Sequence, residues 1–94
     1  MDTYQNFRAY LIQSIGENVV NMTKEPWKKN HIQPWVTEMT NAVLAIDYIG
    51  LEDDNEDIIL RCYAHMFLSL EDDDDLPSEL IMRHMSDRFN PVEL

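Results

Sequence analysis

Apolar residues recur at spacings of three and four along most of this 94-residue chain, and that spacing restricts it to helices. The clearest run lies between residues 58 and 70. One face of it is lined by Ile59, Cys62, Tyr63, Met66, Phe67 and Leu70. No stretch alternates with period two, and no Asn-Gly or Asp-Gly pair offers a hairpin turn. We therefore predict an all-α fold.

Glycines and prolines divide the chain into about four helices, packed as an irregular bundle in one small domain over residues 1–94. The first helix begins at Asp2 and either ends at Gly16 or continues to about residue 22. Residues 23–34 form a connector, and the second helix begins near Pro34. Its predicted buried stripe consists of Trp35, Met39, Ala42, Val43, Ile46 and Ile49.

The third and fourth helices are predicted from the acidic second half of the chain. Asp53, Asp54 or Asn55 caps the third helix, whose apolar face is widened by three further residues, so we expect it to be the most buried. Those three residues are Ile58, Leu60 and Leu68. Asp75 caps the fourth helix, with Pro77 in its first turn. Its buried face is predicted to carry Ile81, Met85 and Phe89.

Negative charge is concentrated in the second half. The whole chain has a formal net charge of −11, yet residues 1–50 hold five acids and four Lys or Arg, whereas residues 51–94 hold thirteen acids and three Arg. Most of these acids form two clusters, at residues 52–57 and 71–75. Charges this close repel one another, and the resulting field attracts basic surfaces while repelling nucleic acid and anionic membranes.

The acid clusters predict a partner-binding surface for a basic protein, most simply a nucleic-acid-acting enzyme. On this interpretation the chain is a small inhibitor that blocks a basic nucleic-acid-binding or active-site cleft, with carboxylates in place of phosphates. The predicted contact residues are Asp53, Asp54, Glu56, Asp57, Asp72, Asp73, Asp74 and Asp75, with Tyr48 and Tyr63 as aromatic contributors. The alternative for the clusters is a solvated face that caps two helices.

Two biological settings suit such an inhibitor. We prefer an immunity protein against a nuclease toxin, because the acids form compact clusters. The alternative is a phage anti-restriction or anti-CRISPR-type inhibitor that mimics nucleic acid, for which acids spread along several helix faces would be expected. A hypothesis of another class is a small helical adaptor that forms a homodimer through surplus apolar surface on the third helix.

Catalysis and metal binding have little support in the sequence. There is no phosphate-binding loop, GxSxG, HExxH or CxxC motif, so we expect neither an enzyme nor a cofactor. Asp53, Asn55 and Asp57 match the start of a calcium loop, but Ala64 replaces its twelfth ligand. Cys62 and His65 share a helix face, yet a buried cysteine explains them better than zinc.

Cys62 is the single cysteine, so an internal disulfide is excluded and a reducing, cytoplasmic location is expected. The first residues do not resemble a signal peptide, and the run over residues 58–70 is too short to span a bilayer. Trp27 and Trp35 flank the Lys28-Lys29 pair. They are candidates for interface anchors, but we expect both rings to cover the core.

Overall fold

A computed structural model describes residues 3–48, 53–71 and 76–89, and these residues form four α-helices and contain no strand. The helices are α1 (Thr3–Lys24), α2 (Lys29–Asp47), α3 (Asp53–Phe67) and α4 (Ser78–Phe89), with a 3₁₀ turn at Pro26–Lys28. The predicted all-α bundle is confirmed. No described helix is both long and apolar enough to cross a membrane.

The first helix continues through Gly16 to Lys24, which settles the alternative left open by the sequence. A glycine inside a helix costs only about 1 kcal/mol relative to alanine. Packing of the turns before Gly16 offsets that cost, since Phe7 and Leu11 are buried and Ile15 packs against the core. The predicted start at Asp2 lies outside the described residues.

The predicted connector over residues 23–34 is wrong. Only Glu25 separates α1 from the 3₁₀ turn, and α2 begins at Lys29, so that Pro34 lies inside the helix. Pro34 is the sixth residue of α2, and its missing N–H would have bonded to Asn30, the second residue. A lost bond in this second turn interrupts the helix far less than one at its centre.

The third helix is the most buried, as predicted. Five of its residues belong to the core: Ile59, Leu60, Cys62, Tyr63 and Ala64. Ile58 remains 40% exposed. The helix is terminated at Ser69, whose φ of 54° lies in the left-handed region, and the N–H of Leu70 donates to the carbonyl of Ala64 at 3.3 Å.

The fourth helix starts directly after Pro77, whose carbonyl accepts the N–H groups of Leu80 and Ile81 at 3.0 and 3.3 Å. Ile81 and Met85 are buried, and Phe89 packs against the core, so the predicted apolar face is correct. Asp75, the predicted cap, lies outside the described residues.

Aromatic rings from three helices form one end of the core. The cluster contains Phe7 and Tyr10 of α1, Tyr63 and Phe67 of α3, and Phe89 of α4. Tyr63 stacks on Phe67 with ring centroids 4.9 Å apart, and Phe7 meets Tyr63 edge-on at 5.7 Å. The second helix completes the core with Met39, Ala42, Ala45 and Ile46.

Each of α1 and α3 packs against both α2 and α4, so the four helices close into a ring. Two polar contacts reinforce this closure. Arg8 of α1 binds Asp47 at the end of α2 through two hydrogen bonds of 2.6 and 3.1 Å. The side-chain amide of Asn6 donates to the carbonyl of Phe89, the last residue of α4. The second contact satisfies a carbonyl at a helix C-terminus.

Candidate functional site

Residues 53–57 of the first acid cluster form the N-terminal end of α3. Asp54 and Asp57 are exposed, and Glu56 is half-buried. Carboxylates are favoured at this position, because the helix dipole and the unpaired N–H groups make a helix N-terminus positive. Asp53 is the first residue of the helix, and its side chain lies outside the description. The cluster therefore stabilises α3 and also leaves charge on the surface.

The second acid cluster is described only at Glu71, which is exposed in the link that follows α3. Asp72, Asp73, Asp74 and Asp75, four of the predicted contact residues, lie outside the described residues.

Asp57 and Glu71, one acid from each cluster, line the same groove. This groove has a volume of about 210 Å³ and runs between α3, the link after it and the first turns of α4. Its apolar lining comes from Leu60, Ala64, Leu70, Leu76 and Ile81. Among the described residues that line it, Arg61 is the only Lys or Arg. Although α3 separates the clusters along the chain, the fold thus brings their edges to one surface.

His65 and Glu38 join α3 to α2 beside this groove. The distance from His65 Nδ1 to Glu38 Oε1 is 2.5 Å, and the two side chains are 17% and 27% exposed. His65 also lines three further grooves that adjoin the first. We call these four grooves together the His65 furrow. Its centre is this pair, which the predicted contact residues do not include. Glu38 and His65 lie 27 positions apart in the chain, so no local spacing in the sequence connects them.

Two of the grooves in the furrow share Trp35. One, of about 510 Å³, lies between Pro34, Trp35 and residues 69–71. The other, of about 410 Å³, is lined by Tyr10, Ser14, Glu17, Asn18, Trp35, Met39, His65 and Met66. No residue of α4 lines this last groove, which lies between α1, α2 and α3.

Both tryptophans are exposed, contrary to the prediction that they cover the core. Trp27, on the 3₁₀ turn, is 72% exposed, and Trp35 is 42% exposed. Trp35 shares the helix face of Met39 but lies one turn nearer the start of α2. At that position its side chain lines two open grooves. In the rest of the predicted α2 stripe, Met39, Ala42 and Ile46 are buried and Val43 is half-buried, while Ile49 lies outside the described residues.

The two predicted aromatic contact residues differ in position. Tyr48 follows the end of α2 and is 58% exposed, so its ring is accessible to a partner. Tyr63 is 1% exposed and packs against Phe7, Phe67 and Phe89. Its proposed role in a contact surface is corrected accordingly, because its ring is part of the core that joins three helices.

Cys62 is fully buried, and its thiol lies 3.6 Å from the sulfur of Met66. Burial, reinforced by the charge of Glu38, raises the pKa of the Cys62 thiol to about 12. Such a thiol is neutral near pH 7 and is a poor nucleophile. In the described part of the chain, no group of three or more His, Cys, Asp or Glu residues is placed to hold a metal ion.

Comparison with known proteins adds no relative: no family model, no curated protein and no solved structure matches this chain. Function is therefore inferred from the charge and geometry of the furrow and the acid clusters beside it.

Proposed function

We propose that this chain is a stoichiometric inhibitor that binds a basic nucleic-acid-binding or active-site cleft of a nuclease-type enzyme. The observation that supports this proposal is the shared groove of Asp57 and Glu71. A contact surface for a basic cleft requires that charges from both clusters act together, and Asp57 and Glu71 are described acids, one from each cluster, that share a groove.

Electrostatics would supply speed and selectivity in this complex. A net charge of −11 on 94 residues accelerates encounter with a positively charged cleft and disfavours partners of like charge. Solvent-exposed ion pairs contribute little affinity, about 0–1 kcal/mol each. The inhibitor therefore also needs apolar contacts, and exposed aromatic rings such as Trp35 and Tyr48 offer them.

The compact clustering favours an immunity protein against a nuclease toxin over a mimic of a nucleic-acid duplex. A duplex mimic would carry acids at intervals along its helices, yet α1 has a single acid, Glu17. An anti-restriction or anti-CRISPR-type inhibitor is the alternative within the same physical scheme.

The homodimer alternative was based on Ile58, Leu60 and Leu68. Leu60 is buried and Leu68 packs against the core, whereas Ile58 remains 40% exposed. A different observation now supports it. Ile12, Val19 and Val20 of α1 are each more than 40% exposed and surround Gly16. A dimer formed through this face would depend less on salt than the inhibitor complex, because the first half of the chain is almost neutral.

The test is capture at low salt of a basic partner, followed by titration of the partner's nuclease activity with this chain. We expect complete inhibition at one equivalent. The double variant Asp57→Asn/Glu71→Gln should weaken binding and flatten its dependence on salt. Glu79→Gln/Asp87→Asn, which removes two exposed charges from α4 outside the furrow, is the matched control and should bind almost normally. Equal effects of the two double variants would contradict the proposal.

A further inference from the structure

Large apolar and aromatic side chains account for four of the eight residues that line the α1–α2–α3 groove of the His65 furrow. Two are methionines, Met39, which is 2% exposed, and the half-buried Met66. The other two, Tyr10 and Trp35, are 41% and 42% exposed. Methionine side chains adapt to the shape of an inserted group, which makes them common in surfaces that accept varied apolar partners. A volume of about 410 Å³ accommodates one large side chain and part of the segment that carries it.

The charges around the furrow define what its occupant must carry. Its four grooves are lined by the acids Glu17, Glu38, Asp57 and Glu71. Among the described residues they contain one Arg, Arg61, and no Lys, while His65 is paired with Glu38. The furrow thus combines large apolar and aromatic side chains with four acids among its lining residues, and we call these acids its rim.

From this combination we infer that the His65 furrow is the anchor site for a basic amphipathic segment of the partner protein, with one large apolar side chain inserted between Trp35, Met39 and Met66. This inference rests on the proposed function and names the chemistry of the partner. Lys or Arg residues of the segment, one helical turn from the anchor, reach the acids on the rim. A second copy of this chain is disfavoured as the occupant, because two molecules that each carry a charge of −11 repel each other.

The anchor explains why an inhibitor of this kind would keep Trp35 exposed. A tryptophan partly buried at the edge of a groove contributes large apolar area at a low entropic cost when a partner covers it. Trp27 is more exposed but lines none of the four grooves of the furrow. The chain thus contains two exposed tryptophans with different predicted roles, and each serves as the control for the other.

The test uses three synthetic peptides of about 15 residues, long enough to form amphipathic helices when bound. The first carries Lys on its polar face and one central Phe, the second replaces that Phe with Ala, and the third replaces each Lys with Glu. Binding is measured by calorimetry and by amide chemical shifts of the isotope-labelled chain. We expect the first peptide to bind at least about tenfold more tightly than the second, with shifts around Met39 and Met66. The third should not bind.

Variants of the chain complete the test. Trp35→Ala should weaken binding of the first peptide about tenfold, while Trp27→Ala leaves it unchanged. Ser14→Arg, which places a positive and bulky side chain at the mouth of the groove, should weaken binding without removing core contacts. Circular dichroism establishes that each variant is folded.

Several results would overturn the inference. Equal affinity for the Phe and Ala peptides would do so, as would chemical-shift changes outside the furrow. If the shifts of furrow residues changed with protein concentration in the absence of peptide, a second copy of the chain would be the occupant. If Asp57→Asn/Glu71→Gln weakens binding of the captured enzyme but Trp35→Ala does not, the anchor is wrong and the proposed function stands. If Asp57→Asn/Glu71→Gln leaves binding of the captured enzyme unchanged, the proposed function itself is wrong.

Discussion

Glu38 of α2 and His65 of α3 approach to 2.5 Å between Oε1 and Nδ1, at the point where the four grooves of the furrow meet. Both side chains are mostly buried, so the contact is less weakened by water than the exposed ion pairs elsewhere on the molecule. It adds a polar contact between α2 and α3, which also contribute residues to the same apolar core. The pair therefore has a structural role as well as its place in the candidate site.

A double-mutant cycle should detect this pair as an energetic coupling. Glu38→Ala and His65→Ala each remove the contact, and the coupling free energy between them should be about 1 kcal/mol. Urea denaturation of the four proteins measures it. Gln13 and Glu17, an exposed pair on α1 at 3.4 Å, form the matched control and should show a coupling near zero. A coupling near zero for Glu38 and His65 as well would mean that their contact does not hold α2 and α3 together.

Cys62 should be unreactive in the native protein. Burial raises the pKa of its thiol to about 12, so almost no thiolate exists at pH 8. Alkylating reagents therefore react with Cys62 mainly after the chain unfolds. We expect slow alkylation by iodoacetamide in buffer and rapid alkylation in guanidinium chloride. Rapid reaction of the folded chain would show that the α3 face around Cys62 opens more readily than its burial implies.

The same thiol should lower stability at alkaline pH. In the unfolded chain a cysteine ionises near pH 8.5, whereas in the folded chain it stays protonated until about pH 12. The unfolded state therefore binds fewer protons in this window, and the free energy of unfolding falls as pH rises through it. Urea denaturation between about pH 8 and 10.5 should show a steeper decline for the wild type than for Cys62→Ala. Parallel declines would contradict this.

The stabilisation that Asp47 provides should be lost in the acidic pH range. Its hydrogen bonds with Arg8, and secondarily the Arg8 charge, hold the pKa of the Asp47 carboxyl below its ordinary value. A lowered folded-state pKa stabilises the protein above the ordinary pKa near 4, and this stabilisation is lost as pH falls through the lower value. The difference in urea midpoint between wild type and Asp47→Asn should be constant from about pH 5 to 7 and shrink below about pH 4. In Arg8→Gln the effect of Asp47→Asn should disappear.

Helix faces with strong apolar periodicity could be predicted from the sequence. Features that depend on the surrounding helix, such as the position of Pro34, could not. The face of Ile81, Met85 and Phe89 was predictable because spacings of four residues fix which side chains share a helix side. Pro34 was misread as a helix boundary. A proline forbids one hydrogen bond, but whether a helix tolerates the loss depends on how close it lies to the helix start.

The candidate site was less predictable than the fold for a related reason. Periodicity assigns a residue to a face, but it does not show which faces remain uncovered when helices of unequal length pack. Trp35 and Met39 share a face, yet one lines an open groove and the other is buried. Tyr63 was chosen as a contact residue for its chemistry, and only the packing of Phe7 and Phe89 around it shows that its ring is inaccessible.

Gly16 offers a final prediction about α1. A Cβ atom built at this position meets nothing within 4 Å, and the residue lies on the exposed face between Ile12 and Val20. Replacing Gly16 with alanine should therefore stabilise the chain by about 0.5–1 kcal/mol, since alanine loses less backbone entropy in a helix and no neighbour is displaced. Thermal and urea denaturation measure the gain, and Gln13→Ala on the same face should change stability by less. If Gly16→Ala instead destabilises the protein in a concentration-dependent way, a second molecule packs against α1 at this glycine, as the homodimer alternative requires.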